Sequence, residues 1–175
     1  MTMVKEGMTV EKAGMMLDIA DLTVEQVQAG FARGAFTAES LTQACLDRIA
    51  TYNPRYNAII FLNPDALADA RAIDRRRAAG EALGPLAGVP VVIKDPMDMV
   101  GFPTTAGWSL LHSRTGGVDL FPAFDSPVVA RMRAAGTVML GKTNVPVLSH
   151  SGTHANDSWA GPTLNAVAPH LAPGA

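Results

Sequence analysis

Apolar residues along this chain fall into two rhythms, stripes at spacings of three and four and short unbroken runs. Leu41, Ala44, Cys45, Ile49 and Tyr52 form such a stripe, the mark of an amphipathic helix. Thr37 precedes it as a cap, and Asn53-Pro54 predicts its end. Upstream, Thr23-Val24-Glu25-Gln26 fits a capping box, with Thr23 as cap and Gln26 reaching back. That predicts a short helix from Val24 to about Arg33, stopped by Gly34. Ala58 to Leu62 is an apolar run read as a strand. Asn63-Pro64 then opens a third helix with a cap and a first-turn proline. Its buried face is expected at Leu67, Ala70 and Ile73, and its end at Gly80.

The chain is organised around Gly84 to Asp95. Val89 and Val91 to Ile93 are an apolar, β-branched run, too short for a core helix and suited to a buried strand. Gly84-Pro85 and Gly88 punctuate its entry, and Asp95-Pro96 its exit. Further on, Asp125-Ser126-Pro127 starts a helix with Val128, Val129 and Met132 facing inward, and Gly136 closes it. Thr137 to Leu140 reads as a last strand. Strands and helices alternating in this way predict an α/β fold with helices flanking a mixed, largely parallel sheet. The three strands are apolar on both faces, so helices are expected to cover both sides. Residues 1–20 hold five of the nine methionines without a clean period and read as an irregular leader. Residues 21–175 read as one unit, with no repeat or low-complexity linker.

Composition narrows the classes. With 48% hydrophobic and 17% charged residues in 175, the chain can bury a real core. A net charge of −2 offers no basic stripe to neutralise phosphates, which argues against a nucleic-acid partner. The basic cluster Arg75-Arg76-Arg77 sits at a predicted helix end, where cations suit the dipole. Cys45, the single cysteine, cannot form an internal disulfide and reads as a small buried hydrophobe. No basic segment leads into an apolar core at the start, and no run approaches the ~18 apolar residues that span a bilayer. A soluble cytoplasmic protein is expected.

Three sets of residues invite chemistry. Lys94 sits where a buried strand ends, the edge at which open α/β sheets bind ligands. Most strand-end lysines are only solvated, and one becomes a base only where burial disfavours its charge. Gly136 to Thr143 satisfies G-x-x-x-x-G-K-[ST], the phosphate-binding loop pattern. That loop needs a strand before it and a helix directly after it; here a helix precedes and Pro146 follows closely. Nucleotide binding is therefore the alternative reading, carried by the string alone. His112, His150, His154 and His170 suggest metal or triad chemistry. Gly152 between His150 and His154, and the lack of a third ligand, speak against a metal. Ser149, His150, Ser151 and Asp157 are too close in sequence to favour triad geometry.

The stretches GPLAGVPVVIKD, GFPTTAG and AAGTVMLGKTNVPVLSHSGTHANDSWAGPTLN, in that order, resemble the amino-terminal part of the amidase signature family. The resemblance covers about residues 20–175. It implies hydrolysis of amide bonds by a serine, a second serine with a cis peptide, and a lysine, with no metal or organic cofactor. Lys94 matches the family's lysine, and Ser149 falls in a segment, Asn144 to Gly152, that wraps the pocket on the acyl side. Nothing here matches the serines, which the family carries in Gly/Ser-rich segments downstream of the position of Ala175. The expected picture is a fold incomplete relative to the family's and inactive alone, whose complete form takes a small-molecule amide. A shortened derivative with a binding or structural role is the other alternative, and a homo-oligomer stays open. Asn165-Ala166 stands where the family usually has Asn-Pro, and Pro96 where an asparagine is common.

Overall fold

The computed structural model of the chain describes residues 19–150 and 157–167. Most of the expected leader, together with Ser151, Gly152, His154, His170 and the final Pro173-Gly174-Ala175, lies outside the described residues.

Helix α1 (Val24–Ala32) starts at the expected capping box: Thr23 accepts from the Gln26 amide, and the Gln26 side chain accepts from the Thr23 amide. Helix α2 (Ala38–Tyr56) is capped by Thr37, as expected, but it does not end at Asn53-Pro54. It runs through Pro54 for one more turn and ends at Asn57 in the left-handed conformation. The Asn53 side chain explains why: it accepts from the amides of Ala58 and Ile59 and donates to the Ile59 carbonyl. Those bonds hold the reversal into strand β1 (Ile59–Leu62), so one helical bond lost at proline is tolerated.

Helix α3 (Ala66–Ala78) begins two residues beyond the expected start. Asn63 is still tied to the sheet, its amide donating to Leu140 O and its side chain to Met139 O. Its Oδ1 accepts from the Asp65 amide, an Asx turn that leads into the helix without capping it. The arginine triplet occupies the last turn of α3. Arg77 also bonds Asp74 and Ala87 O and lies over the Phe31 ring at 4.3 Å.

Strand β2 (Pro90–Lys94) and strand β3 (Val138–Thr143) pair in parallel, and β1 pairs with β3 antiparallel, in the order β1-β3-β2. The sheet is mixed, as the sequence predicts, and helices pack on both sides of it. Val138 and Leu140 face a core with Phe31, Leu41, Ala70 and Ile73, from α1, α2 and α3. Met139 faces a second core with Ile93, Met99 and Val129. Val129 belongs to helix α4 (Pro127–Ala134), which Ser126 caps with Pro127 in the first turn.

Among the described strands, β3 alone is covered on both faces. Val92 of β2 and Leu62 of β1 are exposed, so the expectation of three doubly buried strands fails at the two edges. Val128 also differs: it is 45% exposed while Val129 is fully buried, because the short helix presents one residue of that pair to the sheet. Tyr52 likewise lies on the surface, beneath the Arg48 guanidinium. Cys45 is half-buried against the first core, and burial pushes its thiol up from its ordinary range. No helix among the described residues is long and apolar enough to cross a membrane.

The phosphate-loop string is strand. Residues 138–143 are β3, extended past the expected end at Leu140, with their backbone groups committed to two neighbours. Lys142 is fully buried and spends its ammonium on Pro103 O (2.8 Å), Thr104 Oγ1 (3.2 Å) and Asp95 Oδ1 (3.3 Å). Two hydrogen bonds and one ion pair, all out of solvent, leave the ammonium out of reach of a phosphate.

Two outcomes are expected. Calorimetric titration of the chain with ATP or GTP and magnesium shows no binding; a micromolar Kd that Lys142→Ala removes contradicts the assignment. In thermal melts, Val129→Ala costs about 2 kcal/mol, from two buried methyl groups at about 0.8 kcal/mol each and the cavity they leave. Val128→Ala stays within about 0.5 kcal/mol, as surface changes do; equal losses at the two sites contradict the helix orientation.

Candidate active site

The carboxyl ends of β2 and β3 lie side by side, with Lys94 opposite Thr143 in the parallel register. Two loops leave that edge. One runs from Asp95 through Gly107, the other from Asn144 to His150. Lys94 projects away from the core into the space between them, and its Nζ donates to Ser149 Oγ at 2.7 Å. Both side chains are exposed. The two residues singled out from the sequence, fifty-five positions apart, are thus in direct contact.

The loop that carries Ser149 is held in an unusual shape. Leu148 and Ser149 both have left-handed backbones, with φ of 52° and 55°, inside the turn Val147–Ser149. Such conformations cost about 1 kcal/mol or more per residue, and they persist only where the surroundings impose them. Here the Leu148 amide donates to Ala106 O (2.7 Å), and Ala106 is itself left-handed at φ 48°. Val147 N donates to Asp157 Oδ1 (3.1 Å). Gly107 must be glycine, because a Cβ there would collide with Val145 O and Pro146. The two loops therefore brace each other around the Lys94–Ser149 contact.

Beneath the contact lies a buried polar layer. Asp95, next to Lys94 but pointing inward, is fully buried. Its Oδ2 accepts from Thr105 Oγ1 (2.8 Å) and, at 3.4 Å, from the Gly107 amide. Its Oδ1 meets the Lys142 ammonium as an ion pair without hydrogen-bond alignment. Burial pushes the Lys142 amine below its ordinary range, and the Asp95 carboxylate opposes that shift. Thr105 Oγ1 also accepts from Trp159 Nε1 (2.8 Å), and the Trp159 amide donates to Gly107 O.

Trp159 is held in turn by a ring cluster. The buried His112 ring lies 3.9 Å from it, centroid to centroid, and Phe61 packs 5.8 Å from both rings. His112 Nδ1 is 3.0 Å from Asp119 Oδ1. The Ser113 hydroxyl and amide bonds hold the Asp119 carboxyl down at about 2, with His112 a lesser influence. This Asp bonds Ser113 and His112 separately and His112 Nε2 has no hydrogen-bond partner, so the group lacks the His–Ser bond of a catalytic triad.

The other histidine readings come apart similarly. His150 Nδ1 lies against Val147 O, and Asp157 receives Val147 N, so neither turns towards Ser149. His154, His170 and Ser151 lie outside the described residues. No group of three or more His, Cys, Asp or Glu residues suited to a metal occurs among the described residues. What reading the sequence misses is the inward layer. From sequence, Asp95 is only the stop of a strand and Lys142 only part of a false loop. A charged pair flanking two predicted strand ends is the available signal.

The comparisons with known proteins concern the family and the fold. The family model described as Amidase matches residues 40–175. A glutamyl-tRNA(Gln) amidotransferase subunit from Salinispora arenicola is 45% identical over 151 residues, covering 86% of this chain and 29% of the relative. Its counterpart from Acidothermus cellulolyticus is 42% identical, with 86% of this chain and 28% of the relative covered. Among solved structures, native peptide amidase from Stenotrophomonas maltophilia superposes with a TM-score of 0.70 at 35% identity, covering 83% of this chain and 30% of that one. The chain spans about 29% of the length of the curated relatives it matches. A match of this extent, with the motifs and the α/β core in agreement, places the chain in the amidase signature family.

Proposed function

We propose that this chain carries the lysine side of an amide-hydrolysing site, with Lys94 as the base and Ser149 on the wall of the acyl pocket. The observation that supports it most is the 2.7 Å contact between Lys94 Nζ and Ser149 Oγ, at the carboxyl edge of the sheet between two braced loops. A lysine there can exchange a proton with a hydroxyl without moving, which is what activation of a serine nucleophile requires.

In the family, a neutral lysine takes a proton through the cis-serine from the serine that attacks the amide carbonyl. The acyl-enzyme that forms is then hydrolysed by water. Hydroxyl, amine and backbone amides suffice for those steps, so the reading calls on no metal or organic cofactor. Nothing in this chain matches the two serines, and they belong in the proposal to the part of the family's length that this chain does not span. Water reaches Lys94 here, whereas a lysine serves as base where water is excluded. The catalytic form is therefore one in which further sequence covers the Lys94 edge. The substrate in this proposal is a small-molecule amide. The name of the Salinispora relative marks that protein as one component of an amidotransferase, and assembly with other chains is compatible with the same site.

In a protein that joins this chain to the remaining family length, Lys94→Ala lowers kcat on simple amides by about 100-fold or more, the contribution of a positioned base. Retention of near-normal turnover would contradict the role of Lys94.

A further inference from the structure

Lys142 is a charge with no solvent contact, in a strand otherwise made of Val, Met, Leu, Gly and a terminal Thr. Its direction is the first clue. Val138 and Leu140 face the first core, so strict alternation would send residue 142 the same way. The β1 ladder keeps its register from Leu62–Gly141 to Phe61–Lys142 and slips only beyond, but the β2 ladder slips at Leu140, with Val91 on Met139 and Val92 on Gly141. That bulge turns Lys142 to the opposite face, towards Asp95, Pro103 and Thr104. Gly141 is required there, because a Cβ would meet the Phe61 carbonyl oxygen.

We propose that Lys142 is a positioning residue for the Lys94 site, acting through Asp95 and the 103–107 loop. Its ammonium neutralises a carboxylate that sits one residue from Lys94 and is fully buried. The same ammonium fixes Pro103 and Thr104. Asp95 passes the constraint to Thr105 and Gly107, and Thr105 passes it to Trp159. Ala106, inside that loop, holds the Leu148 amide and so the turn that presents Ser149 to Lys94. Removing the Lys142 charge leaves Asp95 buried and unpaired, a state that resolves by moving the carboxylate or its loop. Either movement shifts the backbone that carries Lys94. That Lys94 is worth positioning as a base rests on the reading above; the placement itself does not.

The test reads the placement directly, without turnover. In the 175-residue chain, the rate of Lys94 acetylation by acetic anhydride is followed by mass spectrometry. Trp159 emission is followed in a Trp108→Phe background, which leaves one indole of the two. Lys142→Met raises the Lys94 rate about fivefold, as expected on losing a hydrogen bond to a charged donor at an exposed site, and shifts Trp159 emission to the red. Adding Asp95→Asn, which removes the stranded charge, returns both signals to within about twofold of wild type. A Lys142→Met chain that melts lower but keeps the wild-type Lys94 rate and Trp159 emission overturns the proposal, since that is a structural role alone. Failure of the double variant to restore either signal overturns the route through Asp95. If Lys142→Met does not fold, Thr105→Val decides: it breaks the Asp95 to Trp159 link at constant volume and raises the Lys94 rate about threefold. An unchanged rate in that variant overturns the proposal. A lack of effect of Lys94→Ala on amide turnover bears on the base assignment and leaves these outcomes untouched.

Discussion

The slipped register of β3 against β2 at Leu140-Gly141 sets the layout of this molecule. Up to that point β3 obeys the alternation of a strand, sending Val138 and Leu140 into one core and Met139 into the other. Beyond it, the bulge lets Lys142 enter the side on which β2 delivers Asp95. Only a residue without a side chain fits there, against the Phe61 carbonyl. Asp95 and Lys142 then neutralise each other out of solvent, and breaking such a pair by removing one member costs about 3–5 kcal/mol. The loops that wall the Lys94 edge are hung from this pair.

The same arrangement explains why the strained residues gather where they do. Ala106, Leu148 and Ser149 all hold left-handed backbones, and they meet at one hydrogen bond, Leu148 N to Ala106 O. Strain of that kind needs a rigid frame. The frame here is Asp95 bonded to Thr105 and Gly107 on one side, and Trp159 packed on His112 and Phe61 on the other. Lys94 and Ser149 face outward from that frame and touch.

Sequence reading reaches the parts governed by local rules. The capping box at Thr23, the cap at Thr37, the Ser126-Pro127 start and the β-branched run before Lys94 each encode their element within a few residues. Lys94 and Ser149 are legible as motif positions. It fails where distant contacts overrule the local signal. Pro54 should end a helix, but Asn53 secures the following chain reversal with its side chain. Asn63-Pro64 should start one, but Asn63 is held by β3. Val128 and Val129 are chemically identical, and only the sheet decides which is buried. The Asp95–Lys142 pair shows in sequence only as charges near two strand ends; their meeting depends on a bulge, and a glycine in a strand does not announce which way the next residue turns.

Hydrogen exchange tests the central claim, that the β2–β3 end is the rigid platform of the site. Amides that open only when the whole chain unfolds exchange with the free energy of global unfolding. The account predicts that class for the amides of residues 139–143 and 91–94 that bond across the parallel ladder, with the exposed 120–124 loop exchanging faster by orders of magnitude. Exchange at Lys142 or Lys94 as fast as in that loop, under conditions where Val138 and Val129 remain protected, would contradict it.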